Sequence, residues 1–485
     1  MSKEYRMYIN GEWVKAASGT TFDDCNPFTG EVFAKVASAN KEDAKRAIDA
    51  AAAAFPAWAA TPPSERRMYF LKAAEVLEKR QQEIVQMLTE ETGATFGWGM
   101  FQTTLTPGML REAASQVHRV MGEILPADLP GAFFMALRQP VGVVAGIAPW
   151  NAPLILSLRA VVFPVAYGNT TVLKPSSESP VSGGLVIAEM FEEAGFPKGV
   201  LNVVTNGPNS SEEIGDELIA NPKVRRLTFT GSSQIGRQIA EKAGRHLKRV
   251  TLELGGSDPV IILKDADIDY AVNATVFGRF LHQGQICMSS KRIIVEKPVA
   301  EEFIEKFVKK ASGLKVGDPR EPDTLIGPLI NQVQFDKIRT QVEEAIAGGA
   351  KLLCGGKYEG LCYYPTVLTN VTEDMKVFSE ETFGPVAPVI VVEDAEEAVR
   401  VANSSRYGLS AGVITRDFQK GLEIAERLES GMVHINDSSV HDEPQVPFGG
   451  VKDSGWGRHG GLAALEEFTE LRWITMQRTP RQYPF

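Results

Sequence analysis

The sequence predicts an α/β protein built from more than one domain, and three observations lead to this expectation. Strand-like and helical segments alternate roughly every 20 to 30 residues between positions 141 and 256, which is typical of a parallel sheet covered by helices on both faces. A second alternating series runs from about position 258 to position 437. At 485 residues, the chain also exceeds the size that one hydrophobic core usually serves.

Residues 8–92 predict a strand, a hairpin and two packing helices. The stretch "YINGEWV" is strand-like, and Pro27 and Gly30 lie where the turns of a following hairpin need them. From Asn40 the pattern becomes helical and rich in alanine. A second helix is predicted from Pro63 to Thr92, where apolar residues recur at helical spacing. We interpret both as amphipathic helices that pack against a sheet.

The first alternating series supplies the positions where a ligand is expected. In doubly wound sheets, ligands bind outside the carboxyl ends of the strands, among the loops that follow them. The predicted strands of this series are "PVGVVAGI", "NTTVLK", "VLNVVTN", "VRRLTFT" and "RVTLEL". Most of the unusual motifs of the chain lie at such a strand end.

The second alternating series predicts another α/β domain, with Cys287 near its start. Its strands include "SSKRIIVEK", "AGVITR" and "GMVHIN", and amphipathic helices lie between them. Two β-prone segments fit neither series, namely residues 122–140 and the tail at 467–485. Isolated β segments usually find a partner sheet, often in another subunit. We therefore expect them to form a separate β element.

Composition and charge limit the classes of function. A net charge of −10 argues against nucleic-acid and anionic-membrane partners and favours a cytoplasmic protein. The N-terminal segment lacks the apolar core of a signal peptide, and the apolar-rich run at 129–150 is broken by Pro130, Arg138 and Pro140. The four cysteines have no paired spacing and the six histidines form no HxxxH or HExxH pattern. Neither disulfides nor a metal centre is therefore expected.

Cys287 raises the central question of the sequence. It lies in "HQGQICMSSKR", and its neighbours are compatible with a small buried apolar thiol and with a nucleophile. A catalytic thiol needs activation, usually by a base within reach, so other segments must decide between the two.

Two polar residues near strand ends are candidates for partners of the thiol. Glu253 lies in the apolar strand "LELGG", where burial would raise the pKa of its carboxyl toward that of a general base. Asn151 lies between two prolines in "APWNAP", and an amide held rigidly there can donate to an oxyanion. Taken alone, Asn151 is better explained as an ordinary turn residue.

The segment "FTGSSQIG" is a candidate phosphate-binding turn. Gly231 and Gly236 lie where a strand gives way to a helix, whose N-terminus offers free N–H groups and a positive dipole end. The spacing departs from the GxGxxG fingerprint, and such turns are common. Lys174 in "VLKPS" could reach a ribose or a phosphate, or be an ordinary strand-end lysine. The joint occurrence of this turn with a thiol, a buried carboxylate and a rigid amide favours a catalytic site.

The combined motifs resemble those of the aldehyde dehydrogenase superfamily. "APWNAP", "VLKPS", "FTGSSQIG", "LELGG", "GQIC", "EETFGP" and "PFGGVKDSGWGR" occur in that family's order, and the likeness covers essentially the whole chain. "PWNAP" with "INDSSVHDEPQVPFGGVKDSG" is most similar to the benzaldehyde, vanillin and salicylaldehyde dehydrogenase branch.

The resemblance implies a division of the chain into three parts. They are a Rossmann-like NAD(P)-binding domain at residues 1–121 and 141–255, an α/β catalytic domain at 256–453, and a small β oligomerisation element at 122–140 and 467–485. It also implies a homodimer or a homotetramer.

The resemblance further implies a mechanism and a set of cofactor contacts. Cys287 would attack an aldehyde, and the Asn151 amide and the Cys287 backbone N–H would hold the oxyanion. Hydride would pass to NAD or NADP, and Glu253 would activate the water that hydrolyses the thioester. Lys174 would be both a catalytic and a cofactor residue. The other implied cofactor contacts are Ile147, Trp150, Ser177, Gly207, Gly231, Ser232, Ser233, Gln234, Ile235, Gly236, Leu254, Glu381 and Phe383.

Ser177 departs from the pattern of many NAD-specific relatives. These carry a glutamate three residues after the lysine, where it binds the adenosine ribose and repels a 2′-phosphate. Here that position is Ser177, and Glu178 follows one place later. We therefore expect NAD or NADP, without a choice between them.

The residues around the expected aldehyde position favour an aromatic substrate. Ala152 stands where several aliphatic-aldehyde relatives carry a bulky aromatic residue, which leaves room for a ring. Arg159 shares a helix face with Ala152, and it could favour hydroxylated or anionic substituents or equally sit in a salt bridge. Trp98, Met288 and Phe448 are candidate pocket walls, and core packing explains each of them as well.

Several alternatives remain open. An acylating relative that passes the thioester to coenzyme A would typically lack the general-base carboxylate, and Glu253 is present. An aliphatic-aldehyde or semialdehyde dehydrogenase would use the same mechanism, but the semialdehyde enzyme needs a cationic pocket, for which only Arg159 is a candidate. A non-catalytic protein that kept the fold is disfavoured by the intact Cys287, Glu253 and Asn151. A papain-like hydrolase is disfavoured because this sequence shows no matching Asn/His constellation.

Overall fold

The computed structural model describes residues 3–485, and the N-terminal part contains short strands followed by four helices. Asn40 caps the first helix, because its side chain accepts from the backbone of Glu42 and Asp43 and the Asp43 side chain reciprocates. The elements are β1 (Lys3–Tyr5), β2 (Met7–Ile9), β3 (Glu12–Val14), β4 (Thr21–Cys25), β5 (Val32–Ala37), α1 (Lys41–Ala60), α2 (Pro63–Lys79), α3 (Gln81–Thr92) and α4 (Phe96–Gln116).

The helix predicted from Pro63 to Thr92 is two helices. Arg80 separates α2 from α3 with a non-helical backbone, at φ −96° and ψ 8°. Its guanidinium binds Glu83 at 2.7 Å and Glu189 at 2.7 Å, which holds the break against α6 (Val186–Glu193). The prediction of one continuous helix was wrong at this point, since a break stabilised by contacts distant in sequence leaves no local signal.

The middle of the chain alternates between strands and helices as the sequence predicts. The further elements here are β6 (Gly122–Leu125), β7 (Ala132–Pro140), β8 (Val143–Ile147), α5 (Pro153–Ala166), β9 (Thr170–Lys174), β10 (Leu201–Val203), α7 (Ser211–Ala220), β11 (Val224–Thr230), α8 (Ser233–Arg245) and β12 (Arg249–Glu253).

The C-terminal half continues the alternation and ends in a long strand. Its elements are β13 (Asp258–Ile262), α9 (Ile268–Phe280), β14 (Ser290–Glu296), α10 (Lys297–Ser312), α11 (Gln332–Ala347), β15 (Lys351–Cys354), β16 (Tyr358–Glu359), β17 (Cys362–Tyr363), β18 (Thr366–Thr369), α12 (Lys376–Ser379), β19 (Val386–Val392), α13 (Ala395–Asn403), β20 (Tyr407–Gly408), β21 (Ser410–Ile414), α14 (Phe418–Ala425), β22 (Met432–Ile435), β23 (Val451–Lys452), β24 (Gly455–Trp456), α15 (Ala463–Phe468) and β25 (Thr469–Gln477).

Two large sheets carry the fold. The first has eight strands in the order β24-β12-β11-β8-β9-β10-β2-β3, and its five central strands β12, β11, β8, β9 and β10 are parallel. The second has seven strands in the order β15-β18-β19-β14-β13-β21-β22, all parallel except for the β15–β18 pair. The predicted α/β class, with two alternating units, is confirmed, and the carboxyl ends of the strands are where loops gather.

The two isolated β segments pair with each other within the chain. Strand β25 runs antiparallel to β7 from Thr469 opposite Pro140 to Gln477 opposite Ala132, and β6 adds a third strand. Strand β24 in turn closes the edge of the first sheet, where Gly455 pairs with Glu253. Among residues 3–485, every helix is too short or too polar to cross a membrane.

Candidate active site

A cavity of about 150 Å³ lies where the two large sheets meet, and residues from both line it. The first sheet contributes the loops after β8, β11 and β12, and the second contributes the segments before β14 and β19 together with α11. The lining residues are Pro149, Trp150, Asn151, Thr230, Gly231, Ser232, Leu254, Gly255, Cys287, Gln334, Lys337, Glu381 and Phe383. The structure thus brings together many of the residues that the sequence singled out.

Cys287 lies between a strained turn and strand β14. His282 and Gln283 adopt left-handed backbone conformations, with φ of 50° and 54°. The half-buried thiol borders the cavity, and burial raises its pKa to about 12, while the ammonium of Lys291 acts in the opposite direction. The thiol is therefore protonated at neutral pH and needs a base or a nearby positive charge in order to react.

Asn151 is tied to the segment that carries the thiol. It precedes α5, whose first residue is Pro153, and its side-chain amide donates to the carbonyl of Gln285 at 3.1 Å. The indole N–H of Trp98 donates to the carbonyl of Asn151 at 2.9 Å. These two bonds fix the amide beside the cavity, so its N–H groups are held in place before a ligand arrives.

Glu253 ends strand β12 and is only 2% exposed. Within residues 3–485, neither of its carboxylate oxygens has a hydrogen-bond partner. Burial raises the pKa of its carboxyl well above the ordinary value, although Arg159 and Arg458 lower it. The Glu253 charge also raises the pKa of the Cys287 thiol, so the two groups interact. A buried carboxyl with free oxygens and a raised pKa is suited to exchange a proton with a neighbour.

Two aromatic rings and a carboxylate line the opposite side of the cavity. Trp150 and Phe383 meet edge to face, with ring centroids 5.6 Å apart, and give the cavity flat aromatic walls. Glu381 accepts from the N–H of Gly256 at 3.0 Å, and a Cβ at Gly255 would collide with the Glu381 carboxylate. Glu381 is therefore seated on bare glycine backbone with a carboxylate that can accept ribose hydroxyls.

The segment from Gly231 to Gly236 forms the turn into helix α8. The Ser232 side chain accepts from the N–H of Ile235 at 3.3 Å and caps the helix, and the Ser233 hydroxyl donates to the carbonyl of Asp453 at 2.8 Å. Gly236 packs so closely on Leu254 that a larger residue would collide with it. Gln234 and Ile235 are exposed on the first helical turn, outside the cavity lining.

Of the predicted cofactor residues outside the Gly231–Gly236 turn, four do not line the cavity. Ile147 and Lys174 are paired across the ends of β8 and β9, and burial lowers the pKa of Lys174 to about 8. Ser177 borders a second cavity of about 290 Å³, together with Phe22 and Pro208. The N–H of Gly207 donates to the Ser38 hydroxyl at 3.0 Å, and a Cβ at Gly207 would lie 3.2 Å from Phe22. Strand β4, through Phe22, and the segment between β5 and α1, through Ser38, therefore already approach Gly207 closely.

The five predicted pocket-wall residues are all buried. Trp98, Ala152, Met288 and Phe448 belong to one hydrophobic cluster, and Cys287 packs against it. Arg159 forms an ion pair with Asp442, and both side chains are buried. The Arg159 guanidinium also lies 4.2 Å from the centre of the Phe448 ring. Of the two interpretations of Arg159, the structure shows the salt bridge.

Sequence reasoning missed several residues of this region. Gln334 and Lys337 line the cavity from α11, which the sequence presents only as a packing helix. Asp442 pairs with Arg159 over 283 residues of chain, and no local pattern could reveal that contact. Lys291 was also missed, although a lysine four residues after the thiol, inside a buried strand, was a readable signal.

Two sheets of an α/β fold that share a cavity lined by a thiol, a fixed amide, aromatic rings and glycine backbone indicate an oxidoreductase with a cysteine in its site. Consistent with this class, a family model described as "Aldehyde dehydrogenase family" matches residues 13–474. The chain belongs to the aldehyde dehydrogenase family, and it is an NAD(P)-dependent oxidoreductase.

Individual relatives are similar over their full lengths. The chain is 48% identical to a vanillin dehydrogenase of Pseudomonas fluorescens over 478 residues, which cover 99% of each protein. It is 43% identical to the "benzaldehyde dehydrogenase [NAD(+)]" of Pseudomonas putida over 482 residues, covering 99% of this chain and 98% of that protein. Its fold matches the crystal structure of a salicylaldehyde dehydrogenase from Pseudomonas putida G7, complexed with salicylaldehyde, with a TM-score of 0.97 at 43% identity and full coverage of both chains.

Proposed function

We propose that the protein oxidises aromatic aldehydes to carboxylic acids with NAD or NADP, through a thiohemiacetal and a thioester on Cys287. The observation that carries this proposal is the shared cavity, which Cys287 and Asn151 border on one side and Glu381, Phe383 and Trp150 on the other. The benzaldehyde, vanillin and salicylaldehyde dehydrogenases to which the chain is similar support the aromatic substrate class.

The first step joins the thiol to the aldehyde. The Cys287 proton passes to Glu253, directly or through a water, and a bond forms between Sγ and the carbonyl carbon. The carbonyl oxygen becomes an oxyanion, which the fixed amide of Asn151 and the Cys287 backbone N–H stabilise. A preorganised donor of this kind contributes about two to three orders of magnitude in rate. When bound beside Glu381 and Phe383, NAD(P)⁺ would supply the acceptor for the hydride that leaves the thiohemiacetal carbon, and the loss of that hydride yields the thioester.

Glu253 also serves the second step. Once it has released the thiol proton to solvent, its free carboxylate oxygens take a proton from water, and the resulting hydroxide equivalent attacks the thioester carbon. The C–S bond then breaks, the thiol leaves reprotonated, and the carboxylic acid departs. A buried base with a raised pKa explains why the acyl group goes to water, and its presence disfavours transfer to coenzyme A.

The charges around Arg159 favour an uncharged substrate ring. A semialdehyde substrate carries a carboxylate that needs a free cation, but Arg159 is already paired with Asp442. Trp98, Met288 and Phe448 add apolar surface in the cluster against which Cys287 packs. We therefore favour an aromatic-aldehyde dehydrogenase activity over a semialdehyde dehydrogenase activity.

The proposal is tested by a substrate panel followed through absorbance of the reduced cofactor. Benzaldehyde, vanillin and salicylaldehyde are compared with hexanal and succinic semialdehyde, each with NAD and with NADP. We expect higher kcat/KM for the aromatic aldehydes, because a rigid ring loses less conformational freedom on binding than the flexible chain of hexanal. A higher value for hexanal or succinic semialdehyde would contradict the aromatic assignment and leave the dehydrogenase activity standing.

Replacing Asp442 with asparagine is expected to increase the preference of the enzyme for substrates that carry a negative charge. The Asp442→Asn variant leaves the Arg159 guanidinium without its counter-charge, so a substrate carboxylate can take that place. We expect the ratio of kcat/KM for 4-carboxybenzaldehyde to that for benzaldehyde to rise about tenfold, since one charged hydrogen bond is worth about 1.5 kcal/mol or more.

The ratio of two substrates within one variant is unaffected by the folded fraction. Glu396→Gln is the matched control, because Glu396 pairs with Arg427 on the surface. An unchanged ratio in Asp442→Asn would show that Arg159 does not face the substrate ring.

We further propose the three-part organisation of residues 1–121 with 141–255, 256–453, and 122–140 with 467–485, in a cytoplasmic homodimer or homotetramer. The small sheet β6-β7-β25 supports an oligomerisation role because it exposes large apolar side chains, including Leu471 (59% exposed) and Trp473 (65% exposed). Light scattering of the purified protein tests the assembly, and the mass of a single chain would contradict it.

A further inference from the structure

Lys291 is a buried cation beside the proposed nucleophile. Asp258 in β13 lies opposite Ser290 in β14, but the next residue, Pro259, lies opposite Arg292. Lys291 is thus the extra residue of a β-bulge. Bulges re-aim side chains and are common next to active sites. Lys291 is 0% exposed, so water does not solvate its charge.

The bulge directs the Lys291 ammonium back toward the turn that precedes β14. Its Nζ donates to the carbonyl of Ile286 at 2.9 Å and to the carbonyl of Cys287 itself. The ammonium therefore bonds the main chain of the nucleophile and of the residue before it. The Ile286 carbonyl also accepts from the N–H of Ser289 at 3.1 Å, so the contribution that is specific to the ammonium is its bond to the Cys287 carbonyl. That bond restrains the main chain from which the Cys287 side chain projects.

The same ammonium reaches the cofactor side of the cavity. Nζ lies 3.7 Å from Oε1 of Glu381 and 5.9 Å from the centre of the Phe383 ring. One buried charge thus connects the thiol segment with two residues proposed to contact the cofactor.

Burial and the neighbouring charges act on Lys291 in opposite directions. Burial has the largest effect and lowers the pKa of its ammonium, and the Arg279 guanidinium lowers that pKa further, while the carboxylates of Glu381 and Asp258 raise it. The Lys291 ammonium lowers the pKa of the Cys287 thiol, whereas the carboxyl groups of Asp258, Glu253 and Glu381 raise it.

We propose that Lys291 is a positioning residue of the aldehyde dehydrogenase reaction: its ammonium fixes the main chain of Cys287 and supplies a fixed positive charge beside the thiol. The proposal rests on the function proposed for Cys287. A purely structural role, in which Lys291 only neutralises Asp258 and Glu381, would leave the reactivity of the thiol unchanged in folded protein.

The test measures the rate at which iodoacetamide alkylates Cys287 in the cofactor-free enzyme, read by mass spectrometry on the peptide that contains it. Lys291→Gln keeps a hydrogen-bond donor and removes the charge. We expect its rate constant at neutral pH to fall about tenfold, since a neighbouring charge moves a pKa by about one unit or more. Lys291→Arg retains the charge, so its rate should stay within about twofold of wild type.

Lys297→Gln is the control, because Lys297 directly follows the same strand and is paired with Glu393 on the surface. Its alkylation rate should equal that of wild type. Equal rates in Lys291→Gln and wild type would overturn the proposal. If Lys291→Gln does not fold, Lys291→Arg decides, because it retains the charge. A tenfold loss of alkylation rate in Lys291→Arg would overturn the proposal, and a rate near that of wild type would support it.

Oxidation of benzaldehyde by the wild type is measured alongside. Its absence would refute the proposed function, whereas an unchanged alkylation rate with normal oxidation would refute only the role of Lys291. A fall in kcat for Lys291→Gln with KM for benzaldehyde unchanged is the kinetic pattern that the proposal predicts, because the charge acts on the thiol and not on substrate binding.

Discussion

The Cys287→Ala variant is expected to lose aldehyde oxidation by a factor of at least about 10⁴ in kcat/KM, as is typical when a covalent nucleophile is removed. The reason is chemical: an aldehyde offers no hydride to a cofactor until a nucleophile has added to its carbonyl carbon. Among the residues that line the shared cavity, Cys287 is the one thiol. The measurement is the rate of reduced-cofactor formation with benzaldehyde under saturating NAD.

The loss must be separated from unfolding and from loss of cofactor binding. Cys287→Ala should bind NAD with a Kd close to that of wild type, because the thiol is not among the groups that hold the ribose. Cys354→Ala is the matched control, since Cys354 lies in β15 at the far edge of the second sheet. Turnover in Cys287→Ala within tenfold of wild type would remove the thiohemiacetal from the mechanism.

The Glu253→Gln variant is expected to stop after one half of the reaction. Hydride transfer can still follow slow attack by the thiol, but water is no longer activated, so the thioester accumulates. We expect one reduced cofactor per active site and a steady-state rate lower by about 10² to 10⁴, the usual contribution of a general base. Rapid-mixing absorbance distinguishes the first turnover from the later ones.

The pH dependence of the wild type provides a second check on Glu253. Because burial raises the pKa of this carboxyl, it is protonated at low pH and ionises as the pH rises. A base must be ionised to act, so turnover should increase with pH through that pKa, and Glu253→Gln should lack the increase. Glu296→Gln, which removes another buried carboxylate, should retain both the rise and the full rate.

The sequence predicted the α/β class because the class follows from local periodicity, that is, from the alternation of strand-like and helical segments. Strands such as Val143–Ile147 and Thr170–Lys174 are continuous apolar or β-branched runs, and helices separate them. The site was predictable for a related reason: Glu253 ends a parallel strand, Gly231 directly follows another, and Asn151 lies in the loop after a third. Parallel strands of one sheet end at one edge. Local order therefore placed these residues near one another before any contact was known.

The features that could not be predicted from the sequence depend on contacts between distant segments. The ion pair of Arg159 with Asp442 and the break at Arg80 each depend on a partner far away in the chain. The bulge that turns Lys291 toward Cys287 is a difference of register between β13 and β14, and a strand read alone shows no register. The roles proposed for Ser177 and Gly207 remain predictions, since the cavity that Ser177 borders is separate from the one at Cys287.

The most direct test of the covalent mechanism is the mass of the Cys287 peptide from Glu253→Gln, quenched in acid after mixing with benzaldehyde and NAD. We expect this peptide to carry one benzoyl group, which hydroxylamine removes as expected for a thioester, and omission of NAD to prevent its formation. An unmodified Cys287 peptide after one equivalent of NAD has been reduced, or a benzoyl group on another residue, would contradict the covalent mechanism.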